Sequence, residues 1–491
     1  MRGGAWCRAA RTTTALEQSP DRRFSLWKVM RMPRVLPLVL ALSLAGSAGS
    51  AVAAPASTPS TDWHHAAEIV RSIDEPDIPA RTVDVTDYGA VGDGSTDARP
   101  AIEAALADME RAGGGRVVLP PGTWFSAGPI RLRSHVDLHV SSGATLRFSE
   151  DPADYLPVVP SRWEGTEMFG YSPLLHAHRV HDVAVTGGGL IDGNAEDGFA
   201  AWRELQGEDQ QALRRMGKEG VPVEERVFGE GHYLRPSMLQ FYESSDVLVE
   251  GVTIVDAPMW VNHFIYSDDI TVRDVTVKTH RPNNDGVAID SSSDVLVENN
   301  DFQGIGDDCV VVKSGRDEDG RRVGRPSENI VVRGNRMSGT EGGFAIGSEM
   351  SGGVNTVFVE RNTMDTIGSA LYIKANLDRG GVVERVRIRD ITVGTAEKVL
   401  RFQTDYSGYQ GGNHPPAFRD FVVENVRAGI VSDAAITAVG VPSSPVRDVT
   451  VRRMWVDQAR IPLELKHTEN VHLHNVWIGG QRMDDAEPTA G

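Results

Sequence analysis

The hexapeptides SDVLVE at 245–250, DDITVR at 268–273 and SDVLVE at 293–298 decide the fold of this chain. In each one an Asp precedes aliphatic residues that alternate with other side chains, and the peptides follow one another at steps of about two dozen residues. The same pattern of Asp or Asn before alternating aliphatics begins again at Asp182, Asn329, Asp448 and Asn470, with weaker copies near Asn355, Arg385 and Asp420. A regular internal repeat of this length indicates a solenoid.

The internal period of each repeat tells which solenoid to expect. Aliphatic residues recur at every second position and are mostly β-branched, which is typical of strands and excludes a helical repeat. The leucine framework of a leucine-rich repeat is missing. We therefore predict an all-β fold, a single-stranded right-handed parallel β-helix over residues 55–491, in which each coil hydrogen-bonds to its neighbours.

One segment before the repeats has the pattern of a helix. Thr96 and Asp97 can cap a helix whose apolar face carries Ile102, Leu106 and Met109 and which ends at the glycines 113–115. We expect this short helix to cover the open end of the solenoid core. The charged stretches 195–235 and 315–327 interrupt the repeats, and we interpret both as insertions between coils.

The net charge of the chain argues against two classes of binding partner. The 491 residues include 50 Lys and Arg against 68 Asp and Glu, a formal net charge of -18. A nucleic-acid binder or a polybasic membrane anchor needs clustered positive charge, so we expect neither nucleic acid nor membrane as a partner. We expect a monomer.

The N-terminus has the three parts of a secretory signal. Arg31 and Arg34 precede an apolar run at 35–45, and small residues follow it up to residue 53. We assign residues 1–54 to an N-terminal extension with a signal peptide and expect a secreted protein, in a periplasm or outside the cell. Cys309 is then the only cysteine of the mature chain, so an intramolecular disulfide is excluded.

Acidic residues cluster on two successive repeats. Asp285 follows Asn283 and Asn284, and Asp307 and Asp308 follow about one coil later. Stacked coils would bring the three carboxylates together, and Gly304 and Gly306 allow a bend at which both later acids face solvent. Mutual repulsion then holds a proton on one carboxyl beside an ionised one, as glycosidic bond cleavage requires. The alternative is that these are ordinary turn residues.

Four motifs carry a family resemblance: PNNDG at 282–286, GDDCVVVKSG at 306–315, GGFAIGSEMSGGV at 342–354 and LYIKAN at 371–376. Together with the opening VTDYGAVGDGSTDARPAIEAAL at 85–106, they resemble the polygalacturonases of glycoside hydrolase family 28, in the pectate lyase-like superfamily. The resemblance implies a secreted inverting hydrolase without metal or cofactor, acting on α-linked galacturonic acid or a related pectic chain. It also implies that Asp307 is the general acid and that Asp285 and Asp308 hold the attacking water.

The chain departs from the family at two binding motifs. The family's His-Gly appears as Glu341-Gly342, and its Arg-x-Lys as Tyr372-Ile373-Lys374. A lysine alone cannot replace the bidentate contact of an arginine with a uronate, so an altered sugar specificity or action at a chain end is possible. Our candidates for substrate binding are the family positions and their neighbours, namely Asn283, Lys374, Tyr372, Glu341, Glu349 and His263.

Two alternatives remain open from the sequence. A polysaccharide lyase on the same fold would use an Arg or Lys base and commonly calcium held by acidic clusters. A non-catalytic glycan-binding β-helix would have lost the family's His and Arg by degeneration. The spacing of the acids leaves the stereochemistry undecided, and inversion rests on the resemblance.

Overall fold

Successive coils of the chain contribute strands to three parallel ladders, which confirms the predicted right-handed parallel β-helix. The structure is a computed structural model and describes residues 62–484, except residues 197 and 409. The predicted signal peptide lies outside the described residues. Among the described residues, no helix is long and apolar enough to cross a membrane.

The three ladders run in register along the molecule. The first ladder contains Thr82–Asp84, Gly115–Leu119, Val136–Val140, His181–Gly187, Ser245–Glu250, Asp268–Arg273, Ser293–Glu298, Ser327–Arg333 and Val354–Glu360. The second contains Asp93–Asp97, Gly122–Ser126, Ala144–Phe148, Leu190–Asp192, Thr253–Val255, Thr276–Lys278, Asp301–Ile305 and Arg336–Gly339. The third contains Ile130–Arg131, Leu175–His178, Leu239–Tyr242, Asn262–Ile265, Val287–Asp290, Val310–Lys313 and Gly342–Ile346.

Longer strands continue these ladders toward the C-terminus. They are Thr363–Lys374, Val382–Gln403, Ala417–Val439, Val446–Lys466 and Thr468–Ile478. The last of them pairs with the antiparallel strand Gln481–Arg482.

The Asp of the repeat marks a corner of the coil. Asp246, Asp269 and Asp294 have φ angles of 52°, 51° and 55°, in the left-handed region that Asp and Asn tolerate better than most residues. Ser245 pairs with Asp268 and Val247 pairs with Ile270, so the ladder passes over Asp246 and Asp269. The Asp therefore recurs because the backbone needs a residue that accepts a left-handed conformation where the chain passes from the third ladder to the first.

Side chains alternate between the core and the outside, as the pattern predicted. In the third ladder Ile289, Val312 and Ile346 lie in the solenoid core, whereas their neighbours Ala288 and Val311 belong to a separate outer cluster. Cys309 also packs into the core, as expected.

A column of buried amides occupies one corner of the core. Asn300 donates from Nδ2 to Oδ1 of Asn335 at 2.9 Å, and Asn335 donates in the same way to Asn362 at 3.0 Å. Each amide therefore satisfies its neighbour on the next coil, which removes the penalty of burying a polar group.

Within residues 62–484 five α-helices accompany the coils: α1 (Asp62–Ser72), α2 (Arg99–Arg111), α3 (Trp202–Leu205), α4 (Gly207–Glu219) and α5 (Asp317–Val323). Helix α2 buries Ile102, Leu106 and Met109 in the core, which confirms the predicted apolar face. Asp97 accepts a hydrogen bond from the N–H of Arg99 at 3.0 Å at its start. Helix α1 packs on the outside of the first ladder, and no sequence signal had indicated it.

The stretch predicted as an insertion, 195–235, contains α3 and α4 and the strand Val227–Phe228. That strand pairs with Thr166–Gly170, which in turn pairs with Val159–Trp163 in a small second sheet. Short 3-10 helices lie at Val85–Tyr88, Pro152–Tyr155, Phe199–Ala201 and Val223–Glu225.

Candidate active site

Two of the predicted acids occupy equivalent positions on adjacent coils. Val287 pairs with Val310 in the third ladder, which places Asp285 and Asp308, each two residues earlier, in register. The backbone follows the same register, because the N–H of Gly286 donates to the carbonyl of Asp308 at 2.9 Å. Asp307 is the next residue outward, and its carboxylate accepts the N–H of Asp308 at 3.0 Å.

The three carboxylates converge as predicted. One oxygen each of Asp285, Asp307 and Asp308 lies within 4.8 Å of the others. Their exposure differs, since Asp285 and Asp308 are buried and Asp307 is half-buried. The expectation that both Asp307 and Asp308 face solvent is therefore wrong for Asp308.

Two buried lysines offset the free-energy cost of burying these acids. The Nζ of Lys374 lies 2.9 Å from Oδ2 of Asp308, and the Nζ of Lys313 lies 3.6 Å from Oδ2 of Asp285. The N–H of Gly342 also donates to Oδ1 of Asp308 at 2.9 Å. Both lysines end strands of the third ladder, so the stacking that aligns the acids also delivers their counter-ions.

The site holds a proton more tightly than ordinary carboxyls do. Burial, and then the neighbouring Asp308, raise the pKa of Asp307 to about 6. Burial, and then Asp307, raise the pKa of Asp285 well above its usual value. Because the two acids interact, the titration belongs to the pair, which retains a proton to a higher pH than isolated carboxyls do. Of the two, Asp307 is the more accessible donor.

Glu349 contacts three cations in a buried ionic network next to the acids. Its Oε1 accepts from Arg316 at 2.7 Å and from Arg379 at 3.2 Å, and its Oε2 lies 3.2 Å from Lys313. Burial alone would raise the pKa of Glu349, but Lys313 and the two arginines outweigh burial and hold that pKa well below its usual value. Glu349 thus keeps Lys313 beside Asp285.

A polar cleft opens above the acids. Its walls are formed by Glu164, Arg214, Trp260, Asn283, Asp285, Asp307, Lys313, Arg316, Ser348, Glu349, Lys374 and Tyr406. Three of the predicted site residues besides Asp285 and Asp307 are among them, namely Asn283, Glu349 and Lys374. Asp308 is not a wall residue but is paired with Lys374. Asn283 is held by Arg235, which donates to its Oδ1 at 2.7 Å.

Three candidates for substrate binding do not line the cleft. His263 is buried against Trp260 and its Nδ1 lies 3.0 Å from the Ser237 hydroxyl. Tyr372 is buried, and its hydroxyl donates to Gln403 at 2.7 Å. Glu341 is exposed, just before Gly342. The structure therefore assigns supporting contacts to His263 and Tyr372.

Several wall residues were not identified from the sequence. Glu164, Arg214 and Tyr406 come from three different segments and carry no motif, and Ser348 lies within the motif at 342–354 without having been singled out. Asn284, in the family's Thr position, is buried, and its Nδ2 donates to the carbonyls of Ala257 and Met259 at 3.1 and 3.0 Å. It therefore holds the loop that carries Asp285.

Comparison with known proteins agrees with this geometry. The sequence profile of the glycosyl hydrolases family 28 matches residues 160–476, and that of the rhamnogalacturonase A/epimerase, pectate lyase-like group matches residues 82–145. A probable polygalacturonase of Vitis vinifera is 28% identical over 401 residues, which are 77% of this chain and 75% of the relative. The solved structure of a hyperthermoactive exopolygalacturonase from Thermotoga maritima is 38% identical, with a TM-score of 0.82, and the match covers 85% of this chain and 96% of that one.

Proposed function

The chain belongs to the glycosyl hydrolases family 28 and is a glycosidase, and from this premise we propose that its cleft hydrolyses the α-linked galacturonan of pectin. The observation that carries the proposal is the convergence of Asp285, Asp307 and Asp308 within 4.8 Å beside two lysines. This arrangement offers a proton donor, a place for a water molecule between carboxylates, and positive charge for a uronate.

In the proposed mechanism Asp307 gives its proton to the glycosidic oxygen as the bond to the anomeric carbon breaks. A water molecule held by Asp285 and Asp308 adds to that carbon and transfers a proton to this pair of carboxylates. Lys313 and Lys374 stabilise the carboxylates and provide charge near a uronate bound in the cleft. Inversion of configuration is proposed from family membership.

A lyase reaction is less compatible with these contacts. Burial alone would lower the pKa of both lysines. Glu349 and Asp285 instead raise the pKa of Lys313 above its usual value. Asp308 and Asp307 do the same for the pKa of Lys374. Both lysines are therefore ammonium ions near neutral pH and are poor bases for proton abstraction. Their charges also oppose a divalent cation among the three acids, the other requirement of the commonest lyases.

We further propose attack at a chain end. Helix α4 contributes Arg214 to the cleft wall, and Tyr406 lines another part of it. The relative from Thermotoga maritima, named an exopolygalacturonase, supports this proposal. We also propose export, since a polymeric substrate lies outside the cell, and a monomeric state. The N-terminus of the protein recovered from growth medium tests the first, and its mass in solution tests the second.

Proton NMR of a polygalacturonate digest tests the reaction. We expect saturated products, new reducing ends that start as the β anomer, and monomer as the first product, all unchanged by EDTA. Signals of a double bond in the product, together with loss of activity in EDTA, would identify a lyase instead. Saturable binding without any new reducing end would identify a non-catalytic glycan-binding protein.

The pH profile tests the role of Asp307. Because its pKa is raised to about 6, the acid is protonated below that pH and loses its proton above it. We expect kcat/KM to fall about tenfold for each pH unit above about 6. Thermal unfolding measured at the same pH values separates this loss from denaturation. A profile that stays flat from pH 5 to pH 8 would contradict the assignment.

A further inference from the structure

A second and larger cavity adjoins the cleft. Helix α4 lines it with Arg214, Arg215 and Lys218, and Arg316 is a fourth cation in its wall. Gln211, Glu219, Asp317, Asp378, Gly408 and Gln410 complete its walls. Arg214 and Arg316 also line the cleft that holds the acids, so the two cavities share a wall.

Two of the three acids around this cavity already have partners. Asp317 is paired with Arg379, which lies outside the cavity. Asp378 accepts the backbone N–H groups of Gln410 and Gly412. Of the acids that line the cavity, Glu219 at the end of α4 is the one for which the described residues supply no ion pair or hydrogen bond.

The cations that α4 places in the cavity wall have fewer ion pairs and hydrogen bonds. Arg214 donates to Glu164 at 2.7 Å, but its buried Nε has no hydrogen-bond partner. Lys218 contacts the carbonyl of Gln410 at 3.4 Å, and within the described part of the chain Arg215 makes no ion pair. The cavity wall therefore carries four cations against three acids, a formal excess of one positive charge, although the whole chain carries a formal net charge of -18.

The wall that carries these cations is rigidly placed. Leu213 of α4 is buried in the outer cluster, and Gln210 donates to Glu164 at 3.1 Å. Gly217 lies against the small sheet so closely that a Cβ there would come within 2.9 Å of Cγ2 of Thr166. Arg215 and Lys218 are thus presented from a fixed helix.

The chain also lacks the arginine of the family's binding motif. Tyr372 stands where the family motif has an arginine, and its hydroxyl is bound to Gln403 outside the cleft. We infer that the α4 cavity binds the carboxylate of a further galacturonate of the pectic chain, with Arg215 and Lys218 as its principal ligands and Arg214 connecting it to the cleft. The inference rests on the proposed function and adds the site that recognises unesterified chain.

The test is the double variant Arg215→Ala with Lys218→Ala, measured on unesterified and methyl-esterified hexagalacturonate. We expect KM for the unesterified substrate to rise about tenfold, because two charge-assisted contacts are lost, with kcat within twofold of the wild type. On the esterified substrate the wild type and the variant should not differ. The exchange Arg215→Lys with Lys218→Arg should restore most of the affinity.

A matched control removes the same charge elsewhere. Arg71→Ala with Lys278→Ala affects two exposed cations outside both cavities, and its KM should equal that of the wild type. Equal increases of KM in both double variants would mean general electrostatic attraction and would overturn the inference. An unchanged KM in the α4 variant would overturn it while leaving the hydrolase assignment intact. Inactivity of the wild type on every pectic substrate would instead reject the proposed function, and this inference with it.

Discussion

Asp307→Asn is expected to lower kcat on polygalacturonate by about 10²–10⁴-fold, because the amide cannot donate the proton that the leaving oxygen needs. KM should change little, since the side chain keeps its shape and Lys313 and Lys374 remain in the cleft wall. Initial rates of reducing-sugar release measure both constants. The residual activity should also lose its dependence on pH above about 6.

The fold of this variant should be at least as stable as the wild type at pH 7. The pKa of Asp307 is raised in the folded protein, so its ionisation costs stability as the pH rises from its unfolded value to about 6. Asn removes that cost. The control is Asp274→Asn, at an exposed corner with a φ of 56° that Asn accepts, and it should retain full activity. Wild-type kcat in Asp307→Asn would remove Asp307 from the mechanism.

Glu349→Gln is expected to lower the free energy of unfolding by about 3–5 kcal/mol at pH 7, because it leaves Lys313, Arg316 and Arg379 buried without their shared counter-ion. Urea unfolding followed by tryptophan fluorescence measures the change. We also expect lower activity, since Lys313 loses the group that keeps it beside Asp285.

The pH dependence of this effect has a definite sign. The pKa of Glu349 is lowered in the folded protein, so its stabilising effect is fully present above the unfolded pKa and is lost as the pH falls through the folded one. The penalty of Glu349→Gln should therefore shrink in acid. Glu318→Gln, whose side chain is 53% exposed in a surface ion pair, is the matched control and should cost less than about 1 kcal/mol. A similar small cost for Glu349→Gln would show that the network is not essential.

The fold was predictable because a β-helix is built from neighbouring coils. Each repeat needs a residue that accepts a left-handed corner and aliphatic residues at every second position, and Asp246 and the residues after it show both in a few letters. Helix α2 was visible from its apolar face for the same reason, although its N-cap is Ala98 rather than the predicted Thr96 or Asp97. Helix α1 was missed because it packs on an exterior face, against Leu296, Val331 and Phe358, that a local pattern does not reveal.

The candidate site was predictable only in part. Coil spacing brought Asp285, Asp307 and Asp308 together, but whether each carboxylate faces solvent depends on the counter-ions around it. Asp308 could be buried because Lys374, more than two coils later, reaches it at 2.9 Å. Tyr372 and His263 were expected at the substrate and instead bind Gln403 and Ser237.

The amino-acid sequence alone determined the stacked coils, their left-handed corners and the three converging acids, since all of these follow from short-range periodicity repeated along one axis. Only the tertiary structure decided what surrounds the acids. Glu164 meets Arg316 across 152 positions of the chain, and α4 brings Arg214 to the same cleft. Such contacts depend on how inserted segments pack back onto the coils, and packing over that separation leaves no periodic trace in the residues themselves.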